Sequence, residues 1–121
     1  MSDTLIDWEQ LEMIFGEDEE DFDEDMAELF QEFIEDGLAR FSTIKELDLA
    51  SQSEAIAKEA HKLKGSAANF GFSEVALHLA NIENNIATIS PDEYAGSLAK
   101  AESAFSESQS IVVGRYPALV G

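Results

Sequence analysis

Around residue 61 the chain places one imidazole among cations: His61 lies between Lys58, Lys62 and Lys64, and Gly65 follows one helical turn later. A neutral imidazole nitrogen is a nucleophile near pH 7. Lysines clustered around it supply positive charge where an anionic group is expected. A phosphoryl group carried on His61 would be such an anion. Three of the chain's seven cations fall within residues 58–64, whereas residues 1–39 contain no Lys or Arg and 16 acids. The patch is therefore a local departure from an acidic background.

The helix carrying these residues fixes their relative directions. His61 is one residue past Ala60, a member of an apolar stripe, so it is rotated by about 100° from the core face and belongs at its margin or outside. Lys64 and Gly65, at i+3 and i+4, share its face. A helix-interior glycine costs about 1 kcal/mol relative to alanine, which calls for a reason. Gly65, Ser66, Ala67 and Ala68 are all small and would let a neighbouring helix approach closely. Alternatively, Gly65 clears room for a second protein to bring a reactive group to the ring. The lysines favour the second explanation, and the small run spans enough of the helix for both to hold.

Composition limits what such a site can serve. The chain has 121 residues, 45% of them apolar, and carries a formal charge of -19 from 26 acids and seven cations. That length supports a core without metal or disulfides, and the whole of 1–121 reads as a single domain. The negative charge repels nucleic-acid phosphates and anionic lipid, so neither is an expected partner. There is no cysteine, which removes disulfides, thiolate catalysis and cysteine-bound zinc. The N-terminus lacks the pattern of a secretory signal, and no apolar run reaches membrane-spanning length, so a cytoplasmic protein is expected. The opening methionine and the lack of a linker suggest a free-standing chain, although a piece cut from a larger protein would look the same.

The elements that must hold the site are helices. Leu5, Trp8, Leu11, Ile14 and Phe15 recur at helical spacing before Gly16, giving a short helix over about 4–15. Phe22, Met26, Leu29, Phe30, Phe33, Ile34, Leu38, Phe41 and Ile44 form one long stripe. Ser51 and Glu54 have the form of a capping box for a third helix, whose core face is Ile56, Ala60, Leu63, Ala67 and Phe70. Ser73 is a candidate cap for a fourth, with stripe Val75, Leu79, Ile82, Ile86 and Ile89. Ser90, Pro91 and Glu93 open a fifth, which carries Tyr94, Leu98, Ala101, Phe105, Val112 and Tyr116. No segment alternates with period two, and the connections are short. The expected fold is all-α: an up-down antiparallel four-helix bundle over about 20–116 with a short additional N-terminal helix.

With the motif on a helix of such a bundle, the chain resembles the histidine-containing phosphotransfer (HPt) domains of bacterial and eukaryotic phosphorelays. The resemblance is carried by "AHKLKGSAANFG", residues 60–71, against the pattern A-H-x-L-K-G-S-x-x-x-x-G. It extends less sharply to "IDWEQLEMIFG", the long second helix and "LANIE". It implies a phosphocarrier in two-component signalling, with His61 taking a phosphoryl group from one receiver-domain aspartate and passing it to another. Lys64 and Lys62 would stabilise the phosphoryl oxygens, and Gly65 would permit docking. Glu83 on the fourth helix would orient the imidazole, with Asn81 and Asn84 as weaker candidates for that role. The docking surface would include Lys58, Ala68 and Phe72. Some family members carry a basic residue on the fourth helix, and this chain has none there, so phosphate neutralisation falls to the third.

The resemblance also sets the expected partners: response-regulator receiver domains and a hybrid sensor kinase. No cofactor is expected in this chain, because the magnesium ion belongs in the receiver's acidic pocket and the motif offers lysines rather than carboxylates. There is no nucleotide-binding glycine-rich loop, so self-phosphorylation from ATP is not expected, and the protein is not a conventional enzyme. A monomer is expected, since the bundle accounts for most apolar stripes. Two rivals are an interaction-only helical adaptor and the phosphorylatable domain of a hybrid or chemotaxis-type kinase cut from its catalytic domains. His78, flanked by leucines and without cationic companions, reads as structural. Asp21, Asp23, Asp25 and Glu32 imitate an EF-hand register, but Met26 stands where the loop needs glycine. No metal site is assigned, and the acidic run 17–25 reads as a solvated helix start.

Overall fold

The computed structural model describes residues 5–16 and 24–116, and these are helical without strands. In order they form α1 (Trp8–Phe15), α2 (Glu24–Glu46), α3 (Ser53–Asn69), α4 (Ser73–Asn84) and α5 (Pro91–Arg115). Phe22 and most of the acidic run, including Asp21 and Asp23, lie outside the described residues. Among the described residues no helix is long and apolar enough to cross a membrane.

Four helices close around one core. Arg40 of α2 meets Glu59 of α3, while Phe33, two turns earlier, stacks on Phe70 at the far end of α3, so α2 and α3 run antiparallel. Asn81 of α4 bonds Ser97 of α5, and Lys45 of α2 pairs with Glu102 of α5, which completes the ring of neighbours. Phe33, Phe72 and Phe105 form mutually tilted and edge-on contacts with centroids 5.0–5.7 Å apart. Such pairs add about 0.5–1.5 kcal/mol each beyond burial. Gly37 makes room for this cluster, since a Cβ there would fall 2.5 Å from the Phe105 ring.

The α3–α4 connection is short because a Schellman motif makes it. Gly71 has φ +72°, the Phe72 N–H donates to the Ala67 carbonyl at 2.8 Å, and the Gly71 N–H donates to Ala68. The segment before α1 then closes over the turn: the Asp7 N–H donates to the Gly71 carbonyl and the Gln10 side chain to the Asn69 carbonyl. A Cβ on Gly71 would lie 2.7 Å from the Asp7 carbonyl oxygen. Gly71→Ala therefore combines a disfavoured left-handed backbone with a collision. A loss of about 1–3 kcal/mol is expected in thermal or denaturant unfolding.

Several sequence expectations change at helix ends. The proposed Ser51–Glu54 capping box is not formed: α3 starts at Ser53 with no side-chain cap, and the Ser51 hydroxyl donates to Asp48 instead. A bond to a carboxylate is stronger than the neutral cap it replaces. Ser73 is the first residue of α4 rather than its cap, because the Phe72 carbonyl already accepts from the Ala76 N–H and so begins the helix one residue earlier. α4 ends at Asn84, leaving Ile86 and Ile89 beyond it, since the Asn85 amide bonds both the carbonyl and the side chain of Asn81. The first helix begins only at Trp8, where Asp7 accepts from the Gln10 N–H. Ser90 caps α5 as expected, accepting from the Glu93 N–H, with Pro91 in the first turn.

Candidate functional site

The site is built on two facing helices. On α3, Ala60, Leu63 and Ala67 are fully buried, and this fixes the helix so that His61 points outward. On α4, Leu79 and Ile82 enter the core and bring the adjacent Glu83 toward α3. The result joins three side chains. His61 Nδ1 lies 2.8 Å from Glu83 Oε2, and Lys64 Nζ donates to Glu83 Oε1 at 2.6 Å.

Glu83 thus has both oxygens occupied. The hydrogen bond from Lys64 holds its carboxyl below the ordinary range; partial burial opposes this, and His61 adds to the lowering. A carboxyl with a lowered folded-state pKa contributes stability above its unfolded pKa and loses it as pH falls through the lowered value. Near neutrality Glu83 is therefore ionised. An ionised carboxylate only accepts, so its bond to His61 needs the proton on Nδ1, and in the neutral ring the lone pair is then on Nε2. The His61 side chain is 65% exposed against 24% for Glu83. A partner can reach the ring while its anchor stays sheltered.

The surroundings separate the candidate residues. Lys58 and Lys62 are exposed and make no ion pair among the described residues, whereas Lys64 is engaged with Glu83. A Cβ on Gly65 would meet nothing within 4 Å, so no packing among the described residues requires the glycine. Ala67 is the buried small residue, and Ala68 is exposed. Asn81 instead bonds Ser97, Asn84 is exposed, and His78 is half-buried.

Phe72 corrects the expected docking surface. It is fully buried, against Phe30, Phe33 and Phe105. As the third residue beyond the end of α3 it is turned inward by the Schellman bonds, so it cannot meet a partner. Sequence reading also missed an open groove between α1, α2 and α3, bordered by Ser66 and Asn69. Leu29, placed on the buried stripe by its spacing, is exposed in it.

A family model for the Hpt domain matches residues 28–110, more than half of the chain and all of the α3–α4 site. The chain belongs to the Hpt family. Comparison with curated proteins and with solved structures returned no match. As an Hpt domain it functions in phosphotransfer within two-component signalling, the domains of this family being phosphocarriers. Its partners are the kinase and response-regulator components of a phosphorelay.

Proposed function

We propose that His61 is the phosphorylated residue and that the chain shuttles a phosphoryl group between aspartates of response-regulator receiver domains. The observation that carries this reading is the exposed imidazole with Nδ1 anchored on Glu83 and Nε2 without a partner among the described residues. In the acceptance step the Nε2 lone pair attacks the phosphorus of a receiver phosphoaspartate. An N–P bond forms, the P–O bond to the aspartyl carboxylate breaks, and that carboxylate leaves with the electron pair. The ring, still protonated on Nδ1, becomes cationic, and the Glu83 carboxylate faces that charge. Transfer to the next receiver reverses these bond changes.

Each remaining residue has a distinct task in this scheme. Lys62 and Lys64 meet phosphoryl oxygens, Lys64 through the ammonium hydrogens it does not give to Glu83. Gly65 and Ala68 leave the flank beside the ring open to a docked receiver, and Lys58 extends the cationic rim. Magnesium is supplied in the receiver's acidic pocket. The test is incubation with receiver domains phosphorylated by acetyl phosphate, followed by chemical and mass-spectrometric mapping of the label. Acid-labile, base-stable phosphate on His61 is expected; label on any other residue overturns the assignment.

Glu83 gives a graded prediction. Glu83→Ala removes the partner of Nδ1 and of Lys64, and acceptance slower by about ten- to hundredfold is expected, by analogy with the loss of a partner that orients a metal-bound imidazole. Glu83→Gln keeps an acceptor for Nδ1 but loses the charge, so its rate should fall between those of Glu83→Ala and the unaltered chain. Rapid-quench transfer kinetics separate the three. Equal rates would mean that Glu83 does not position the ring.

A further inference from the structure

The α3–α4 turn is not completed by its own residues. The Schellman bonds satisfy the Ala67 and Ala68 carbonyls but not that of Asn69, and α4 begins without a side-chain cap. Residues 5–10 supply what is missing. The Leu5 carbonyl accepts from the Glu74 N–H at 3.3 Å, in the first turn of α4. The Asp7 N–H donates to the Gly71 carbonyl at 2.8 Å, and the Gln10 side chain donates to the Asn69 carbonyl at 2.9 Å. One short stretch thus holds both sides of the turn. It is itself seated, since Ile6 and Leu11 are buried and Phe15 meets the rings of Phe30 and Tyr116. It also precedes the residues matched by the family model, which begin at 28.

The distance from the turn to the site makes this hold consequential. Glu83 is ten residues past Ser73, roughly 15 Å along α4, and His61 is ten residues before Gly71. At that radius a swing of about 4° about the turn moves the carboxylate by about 1 Å, enough to break a 2.8 Å hydrogen bond to the ring. A misplacement of about 1 Å can cost about a hundredfold in rate. Leu79 and Ile82, buried in the core, limit the swing, so a partial loss is the expected effect of releasing the turn.

We propose that residues 5–10 are a strap that phases the helical hairpin for phosphoryl transfer, Leu5, Asp7 and Gln10 fixing the turn so that Glu83 meets the His61 ring. The inference rests on the phosphocarrier reading and adds positioning residues that touch neither the phosphoryl group nor the imidazole.

The experiment compares the unaltered chain with Gln10→Ala, which removes the bond to Asn69, and Ile6→Ala, which unseats the strap. Ile44→Val, in the last turn of α2 at the opposite end of the bundle, is the control for lost core packing. All are assayed at a temperature where denaturation curves show them folded. Two donors are used: a receiver domain phosphorylated with acetyl phosphate, and phosphoramidate, which needs no protein docking. With phosphoramidate the Nε2–P bond forms as the donor's P–N bond breaks, and its nitrogen leaves as ammonia with the electron pair. Acceptance is expected to slow about threefold in Gln10→Ala and about tenfold in Ile6→Ala with both donors, and less than twofold in Ile44→Val. Imidazole nitrogen chemical shifts, read through the carbon-bound ring protons, should show a smaller share of His61 protonated on Nδ1 in the two strap variants alone. Should Ile6→Ala not fold, Gln10→Ala decides. Rates within twofold of the unaltered chain, a loss with the receiver but not with phosphoramidate, unchanged ring shifts, or an equal loss in Ile44→Val would each overturn the proposal. Failure of the phosphocarrier reading shows differently, as no His61 label on the unaltered chain from any receiver.

Discussion

His61→Gln is expected to reduce phosphoryl acceptance from a phosphorylated receiver by at least about a thousandfold while leaving the fold unchanged, because the variant loses the nucleophile itself. Glutamine is close in reach to histidine and carries a hydrogen-bonding group, but its amide nitrogen has no available lone pair for phosphorus. The residue is exposed, and substitutions at such positions usually stay within about 0.5 kcal/mol. Loss of transfer with an unchanged melting curve is therefore the signature of a chemical role. An interaction-only adaptor would behave differently: no phosphoryl group would move, and affinity for the partner would be the same with or without the imidazole. Measuring receiver binding and labelling on the same two proteins separates these readings. Full labelling of the variant would remove His61 from the mechanism.

Phe72→Ala is expected to be the opposite case, with a large cost in stability. The ring is fully buried, with neighbouring ring centroids at 5.0–6.0 Å from α2 and α5. Truncating such a phenylalanine costs about 3–5 kcal/mol, from lost transfer energy and the cavity left behind. For a domain of this size that lowers the melting temperature on the order of 15 °C. It also takes away a large share of a total of about 5–15 kcal/mol. Calorimetry or chemical denaturation measures it directly. A shift of only a degree or two would mean that Phe72 does not pack in the core.

Phe72 also shows where sequence reading reached its limit. Inside α3 the 3.6-residue period placed Ile56, Ala60, Leu63 and Ala67 inward and His61 outward, and all five lie so. Beyond Gly71 there is no period to assign a face, and the direction of Phe72 is set by two backbone hydrogen bonds of the turn. Glu83 was legible because its neighbour Ile82 fixed which way α4 faces. Its simultaneous hold on Lys64 was not, since that depends on the spacing of two helices rather than on either sequence pattern. Leu29 and Leu38 belong to the apolar stripe of α2 by spacing, yet both are exposed. The stripe is wider than the surface its neighbours cover. The groove, assembled from three helices, has no linear signature at all.

The short α3–α4 turn acts as a ruler for the site. His61 and Glu83 are 22 residues apart, and the path between them is helix except for the three residues that make the turn. One residue inserted there would rotate α4 by about 100° relative to α3 and slide it by about 1.5 Å, carrying Glu83 off the imidazole or Leu79 and Ile82 out of the core. The helical hairpin is thus the smallest unit in which imidazole and carboxylate are correctly phased, and the turn tolerates changes of residue far better than changes of length.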